Sequence, residues 1–291
     1  MTHALVAKAM VMNLSIGIWA GYRLDREATR RVTTEAGASA DAARVNKHLI
    51  PKEALAPIVT AQNAIRTHFY SNTLPWRDNG DRLMTRKLFT TFIPEHEKLV
   101  EAFQATVEHF LNVDYQSAIE KAEFRMGSMF NRDDYPNRAV LRSKFYANLE
   151  IDAITTSGDF RVEIDQKHVD KVRAAMEEAA EKRLEAATAD IWKRMADTVG
   201  HFQQRMADPK AVFRNSTINN INEMLDLVPG LNVLDDPKIE MIRAAIAKSF
   251  GNLDANDIRS DPDHRKQLAS DAQEIMDKMS GFMNAFGGAK S

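Results

Sequence analysis

The chain has no cysteine in 291 residues. That excludes a disulfide scaffold, a thiolate zinc site, an iron–sulfur cluster and a cysteine nucleophile, and it fits a reducing cytosol. Glycine is scarce, with 12 residues where about 20 would be usual at this length. Phosphate-cradling loops and doubly wound sheets need glycine-rich turns, whereas helices do not. Charge of one sign is not in excess either: 39 Lys+Arg stand against 41 Asp+Glu, a net charge of −2. A wholesale polyanion binder would be far more basic. Long apolar runs are also missing. Ala9–Ala20 is the longest candidate, well short of the roughly 20 residues of a membrane helix. Only Lys8 precedes it, and Asn13 and Ser15 interrupt it, so it reads as a buried strand in preference to a cleaved signal. No Walker loop, GxGxxG, GxSxG or HExxH occurs. The expected setting is a cytoplasm, with no cofactor.

What is present is mostly helical periodicity. Leu14, Ile16 and Ile18 alternate with Ser15, Gly17 and Trp19, a strand signature. Arg23–Ala36 turns helical with Asp25 as its cap, and GASAD (37–41) is a loop. A helix is predicted from Pro51 to Phe69, with Pro57 as a kink or break. Thr73–Trp76 and Arg82–Phe89 read as a hairpin around Asn79-Gly80, a type I′ dipeptide. Ile93–Gly127 reads as a helix opened by Pro94 and divided near 112–114, with Leu99, Phe103, Val107, Phe110 and Leu111 on one face. A second hairpin is predicted from Leu149–Ile154 and Phe160–Ile164.

From about Gln166 to Ala207 there is no proline, and no glycine before Gly200. Val169, Val172, Met176, Ala180, Leu184, Ala187, Ile191, Met195, Val199, Phe202 and Met206 recur with a period of about 3.7, nearer an eleven-residue repeat than a heptad. A long rod is predicted, with a nearly straight or slightly right-handed packing seam. Met176, Leu184, Ile191, Met195, Phe202 and Met206 are candidates for an interaction seam. Two or three shorter helices follow, over 218–227, 237–250 and 263–286, punctuated by Pro229-Gly230 and Asp261-Pro262. The fold class is mainly α with small β elements. Three domains are expected: an α+β part over 1–165, the rod over 166–208, and a helical part over 209–291. Net charge is +3 over residues 1–150 and −5 over 151–291.

The polar constellations have bland readings beside functional ones. His96-Glu97 lacks the second histidine of a zincin, since position 100 is Val, and His109 does not assuredly share its face. Asp197 and His201 are four apart and suit an exposed helical pair. DNGD (78–81) and LDAND (253–257) lack the ligand series of a calcium loop. Trp76, Arg77, Arg82, Arg86 and Lys87 pair an aromatic ring with cations, a pattern that binds single-stranded nucleic acid. Edge strands carry such cations to block aggregation as well, so both readings stand. Arg26, Arg30 and Arg31 have the same two readings.

Asn13–Asp25, NLSIGIWAGYRLD, resembles the opening strand of an uncharacterised family of phage and prophage proteins, N-L-x-I-x-I-W-x-G-x-R followed by an acidic residue. Asn13, Trp19, Gly21 and Arg23 carry the match. A lysine-bearing loop, the Pro-initiated IPKEALA (50–56) and the hairpin region extend it over roughly residues 10–165. The resemblance implies no catalytic residues. Its genes are similar in setting to those near MoxR-type AAA+ ATPases and von Willebrand A-like proteins, which implies an adaptor or client of a remodelling system in a bacterial host. The expectation is therefore a non-enzymatic phage protein acting by self-assembly or protein–protein contact. The alternative is a single-stranded nucleic-acid-binding or annealing accessory. An enzyme site assembled from distant residues and an inhibitor of a host defence or host enzyme also stay open.

Overall fold

A computed structural model of the chain describes residues 5–157, 166–208, 214–251, 253–254, 258 and 261–287. The fold is mainly α with small antiparallel β elements. In chain order they are β1 (Ala9–Gly17), β2 (Tyr22–Leu24), α1 (Arg26–Glu35), β3 (Asn46–His48), a 3-10 turn (Lys52–Leu55), α2 (Ala56–Asn72), β4 (Leu74–Pro75) and β5 (Arg82–Thr85). Then come α3 (Arg86–His109), a π turn (Phe110–Asp114), α4 (Tyr115–Met126), α5 (Arg138–Arg142) and β6 (Tyr146–Asp152). The long α6 (Gln166–Ala207), α7 (Asn215–Leu231), α8 (Pro237–Phe250) and α9 (Pro262–Gly287) complete the order.

The chain does not divide in sequence order as expected. It forms two interleaved units: residues 1–13, 72–92 and 150–291 make one, and 14–71 with 93–149 make the other. The boundary of 165/166 fails because the first strand residues and the hairpin share a core with the rod and the C-terminal helices. Leu5, Val11, Leu74, Trp76 and Leu83 belong to the same buried cluster as Ile191, Met195, Phe202, Ile221, Ile246 and Ile275.

In that first unit α6 is the spine. Its 42 residues would span about 63 Å. Leu184, Ile191, Met195, Phe202 and Met206 are all at most 4% exposed, while Met176 is only half-buried. Helices α7 and α9 pack on α6, and α8 packs on both α7 and α9. The predicted interaction seam is thus covered by the chain's own helices from Leu184 onward. Trp192, off the predicted line, is also buried and meets Phe282 at 5.9 Å between ring centroids. It widens the seam into a broad stripe.

The hairpin differs from its expectation at both arms. β5 pairs antiparallel with β4 (Leu74 opposite Leu83) and with β1 (Val11 opposite Leu83), but it ends at Thr85. Thr85 Oγ1 accepts from Leu88 N–H at 3.4 Å, and the chain turns helical at Arg86. Only Gly80 has positive φ, so the turn is not type I′. The N–H groups of Trp76 and Arg77 share the Asp81 carbonyl instead. Pro94 lies inside α3 and does not open it. Pro229-Gly230 likewise lies inside α7. There Gly230 C=O accepts from Thr85 Oγ1 at 2.7 Å, and a Cβ on Gly230 would sit 2.3 Å from a methyl of Leu88. Close approach is why glycine stands at that point. In the second predicted hairpin, β6 runs beside β1 in strand order, and Phe160–Ile164 lies outside the described residues.

The second unit has its own core: Trp19, Leu49, Ile58, Ile65, Phe103, Phe110, Tyr115 and Ile119 among others. Asp25 caps α1 by accepting from Ala28 N–H at 2.9 Å. Pro57 falls in the first turn of α2, where its missing N–H is harmless. The division near 112–114 is the π turn. Strands β2 and β3 form a two-stranded antiparallel ribbon that sequence patterning did not single out, with Tyr22 opposite His48 and Leu24 opposite Asn46.

The seam's burial has a measurable consequence. Phe202 is fully buried and its ring lies 4.7 Å from that of Phe250. Phe202→Ala should cost about 3–5 kcal/mol in chemical denaturation, with a midpoint independent of protein concentration. Removal of the exposed Glu178–Lys182 pair by Glu178→Ala should stay within about 0.5 kcal/mol.

Candidate interaction surface

Of the hairpin residues expected to contact nucleic acid, Trp76, Arg77, Arg82 and Lys87 are engaged within the first unit, while Arg86 is exposed and its backbone N–H donates to Lys8 C=O at 2.8 Å. Trp76 is 4% exposed, and the Arg183 guanidinium covers its ring at 5.8 Å. A buried indole has no free face for a base. Arg82 donates from Nε to Thr73 Oγ1 at 2.6 Å and from Nη2 to Thr73 C=O at 2.8 Å, and Arg194 donates to the same carbonyl at 2.7 Å. Arg77 pairs with Asp81 at 3.0 Å. Lys87 and Lys8 clasp Asp235 at 2.9 and 2.7 Å. The two ammonium groups hold the Asp235 carboxyl at about 2, below the usual carboxylate range. Arg86 and these lysines border a groove of about 370 Å³.

The motif residues have structural duties. Asn13 donates from Nδ2 to Asp81 at 3.0 Å, and together with Asn79 and Arg77 it holds the Asp81 carboxyl below its ordinary value. Trp19 is buried edge-on to Tyr115, with centroids 5.9 Å apart. Gly21 sits at φ +68, and a Cβ there would meet Leu55 at 3.1 Å. Its carbonyl accepts from Leu49 N–H. Arg23 pairs with Asp134 at 2.8 Å.

The histidines are divided. His109 lies 3.6 Å from Asp114. His96 is 4% exposed and stacks on His68 at 6.3 Å, not on His109. Among the described residues no three metal-ligating side chains converge. Tyr115 and Tyr135 are neutral donors, to Pro136 C=O and Leu49 C=O, each at 2.7 Å. Burial pushes the Tyr115 phenol up to about 12 and the Tyr135 phenol upward as well.

The open surface of the second unit lies elsewhere. In a strand, Tyr22 and Leu24 share one face and Arg23 takes the other. The face with Arg23 and Lys47 is tied down: both cations pair with Asp134, and Lys47 Nζ also donates to Met129 C=O at 3.3 Å. The opposite face is open. Tyr22 is 51% exposed and packs edge-on against the exposed His48 at 6.2 Å. Arg125, near the end of α4, donates to His48 C=O at 2.6 Å. Beside it stands Phe124, 95% exposed. At about 100° per residue Phe124 lies half a turn round from Tyr115, opposite the buried stripe of Tyr115, Ala118, Ile119 and Ala122. Sequence patterning did not single out Phe124, and it missed the ribbon because three-residue strands carry almost no periodic signal.

In comparison with known proteins, the chain matches no family model, no curated protein and no solved structure.

Burial and the neighbouring His68 ring lower the His96 pKa below its ordinary value near 6.5. Below pH 6.5 the unfolded chain therefore takes up a proton that the fold resists. Stability is full above about pH 6.5 and falls as pH drops toward the lower folded value. Thermal melts between about pH 8 and pH 5 should show this decline, and His96→Gln should flatten it.

Proposed function

We propose that this protein acts without catalysis, by protein–protein contact, and that the second unit supplies an anchor for the partner. The observation that carries the reading is Phe124, 95% exposed on the outer face of α4. A phenylalanine in open water gains nothing for the fold. Buried in a partner's pocket, the same ring would serve as an interface anchor. Exposed Val113 on the π turn and Met129 beyond α4 add apolar surface to the same unit. The resemblance of Asn13–Asp25 to the phage and prophage family supports the same direction. It makes a MoxR-type AAA+ ATPase the first partner to test, and self-association the second.

Light scattering on purified protein, alone and with such an ATPase, checks the proposal. A discrete oligomer or a stoichiometric complex is expected. Phe124→Ser should weaken it at least about tenfold while leaving the melting temperature unchanged, since an exposed side chain contributes within about 0.5 kcal/mol to folding. A monomer that forms no complex, or a complex indifferent to Phe124→Ser, overturns the reading.

A further inference from the structure

The β2–β3 ribbon carries a second kind of surface. Its open face presents Tyr22 and His48 as an aromatic pair, with Leu24 and Asn46 exposed next to them. The end of the ribbon is stitched to α1 by two hydrogen bonds: Asp25 N–H to Val45 C=O at 2.9 Å, and Val45 N–H to Thr29 Oγ1 at 3.0 Å. Arg26, Arg30 and Arg44 are each the next residue to one of those bonded positions, so the stitch gathers them at one end of the ribbon. Arg31 follows on α1. All four are exposed, and among the described residues none of their side chains makes an ion pair or hydrogen bond. Within residues 22–48 the acids are Asp25, Glu27, Glu35 and Asp41. Asp25 is spent on the α1 cap and Asp41 on Ser39.

Unpaired guanidinium groups cost the fold nothing in water, and these follow on from the Leu24–Asn46 end of the ribbon whose open face carries the aromatic pair. Their fork matches phosphate oxygens, and tyrosine and imidazole faces stack with bases. We infer that the Tyr22–His48 face and the arginines at its α1 end bind single-stranded nucleic acid, with phosphates on Arg26, Arg30, Arg31 and Arg44 and a base against Tyr22. A duplex hides its base faces and gains only the charge contacts. This site uses none of residues 76–87, takes in the α1 arginines Arg26, Arg30 and Arg31 that the sequence also suggested, and does not depend on Phe124.

Fluorescence anisotropy of a labelled oligothymidylate of about 20 nucleotides tests it. Binding is expected at about 50 mM salt. With four phosphate contacts it should weaken of the order of a hundredfold at about 300 mM. Arg26→Glu with Arg30→Glu and Arg31→Glu should abolish it, and Tyr22→Ala should weaken it about tenfold at unchanged salt dependence. Unchanged circular dichroism and melting temperature confirm that these variants are folded. Lys248→Glu, on α8 of the other unit, should bind as the wild type does. No binding at low salt overturns the inference, as does binding unaffected by Tyr22→Ala or equal affinity for polyglutamate. None of these outcomes touches the Phe124 experiment, so the two readings fail separately.

Discussion

The first unit depends on one requirement: an α6 of 42 residues carries an apolar stripe that must be kept from water. Alanine, leucine, methionine and valine at three- and four-residue spacing make a helix that is stable only when covered. Helices α7 and α9 cover it, and Phe250 of α8 reaches Phe202. Trp192 extends the stripe sideways to Phe282. Once that packing exists, strands as short as β4 become tenable. Thr73, fully buried, is held by Arg82 and Arg194 together.

The second unit rests on a different core. Trp19, Tyr115 and Phe110 pack as rings, and the two buried tyrosines send their hydroxyls to backbone carbonyls at Pro136 and Leu49. The Tyr115 bond ties the loop after α4 back to that helix, and the Tyr135 bond fastens the loop to the segment that follows β3. Asp134 then gathers Arg23 and Lys47. Tying down one side of the ribbon leaves the other side, with Tyr22 and His48, facing solvent. The stability of the scaffold and the openness of the surface are two results of the same alternation.

Charge was a poor guide to where cations are available. Sequence patterning gave the hairpin cations and the α1 arginines equal standing. The structure separates them by their partners, with the exposed Arg86 as the exception. Arg77, Arg82 and Lys87 each have a carboxylate or carbonyl close by, and Trp76 is capped by Arg183. Among the described residues the side chains of Arg26, Arg30, Arg31 and Arg44, on a short helix and a loop, make no ion pair or hydrogen bond. A count of basic residues cannot make this distinction, because it depends on which distant acid or carbonyl the fold delivers.

Helix content, the long α6, the Asp25 cap, the break near 112–114 and the three C-terminal helices are legible in the sequence alone, since periodicity and capping act within a few residues. Only the tertiary structure decided that the seam is covered within the chain, that Trp76 is buried, and that β5 stops at Thr85. It also decided that Pro94 and Pro229 lie inside helices and that the units interleave. Each of these turns on contacts between residues far apart in sequence, such as Thr85 with Gly230 and Lys87 with Asp235. Local propensity sets which elements form. The burial each element needs, and the partner that supplies it, are settled only when the distant parts of the chain meet.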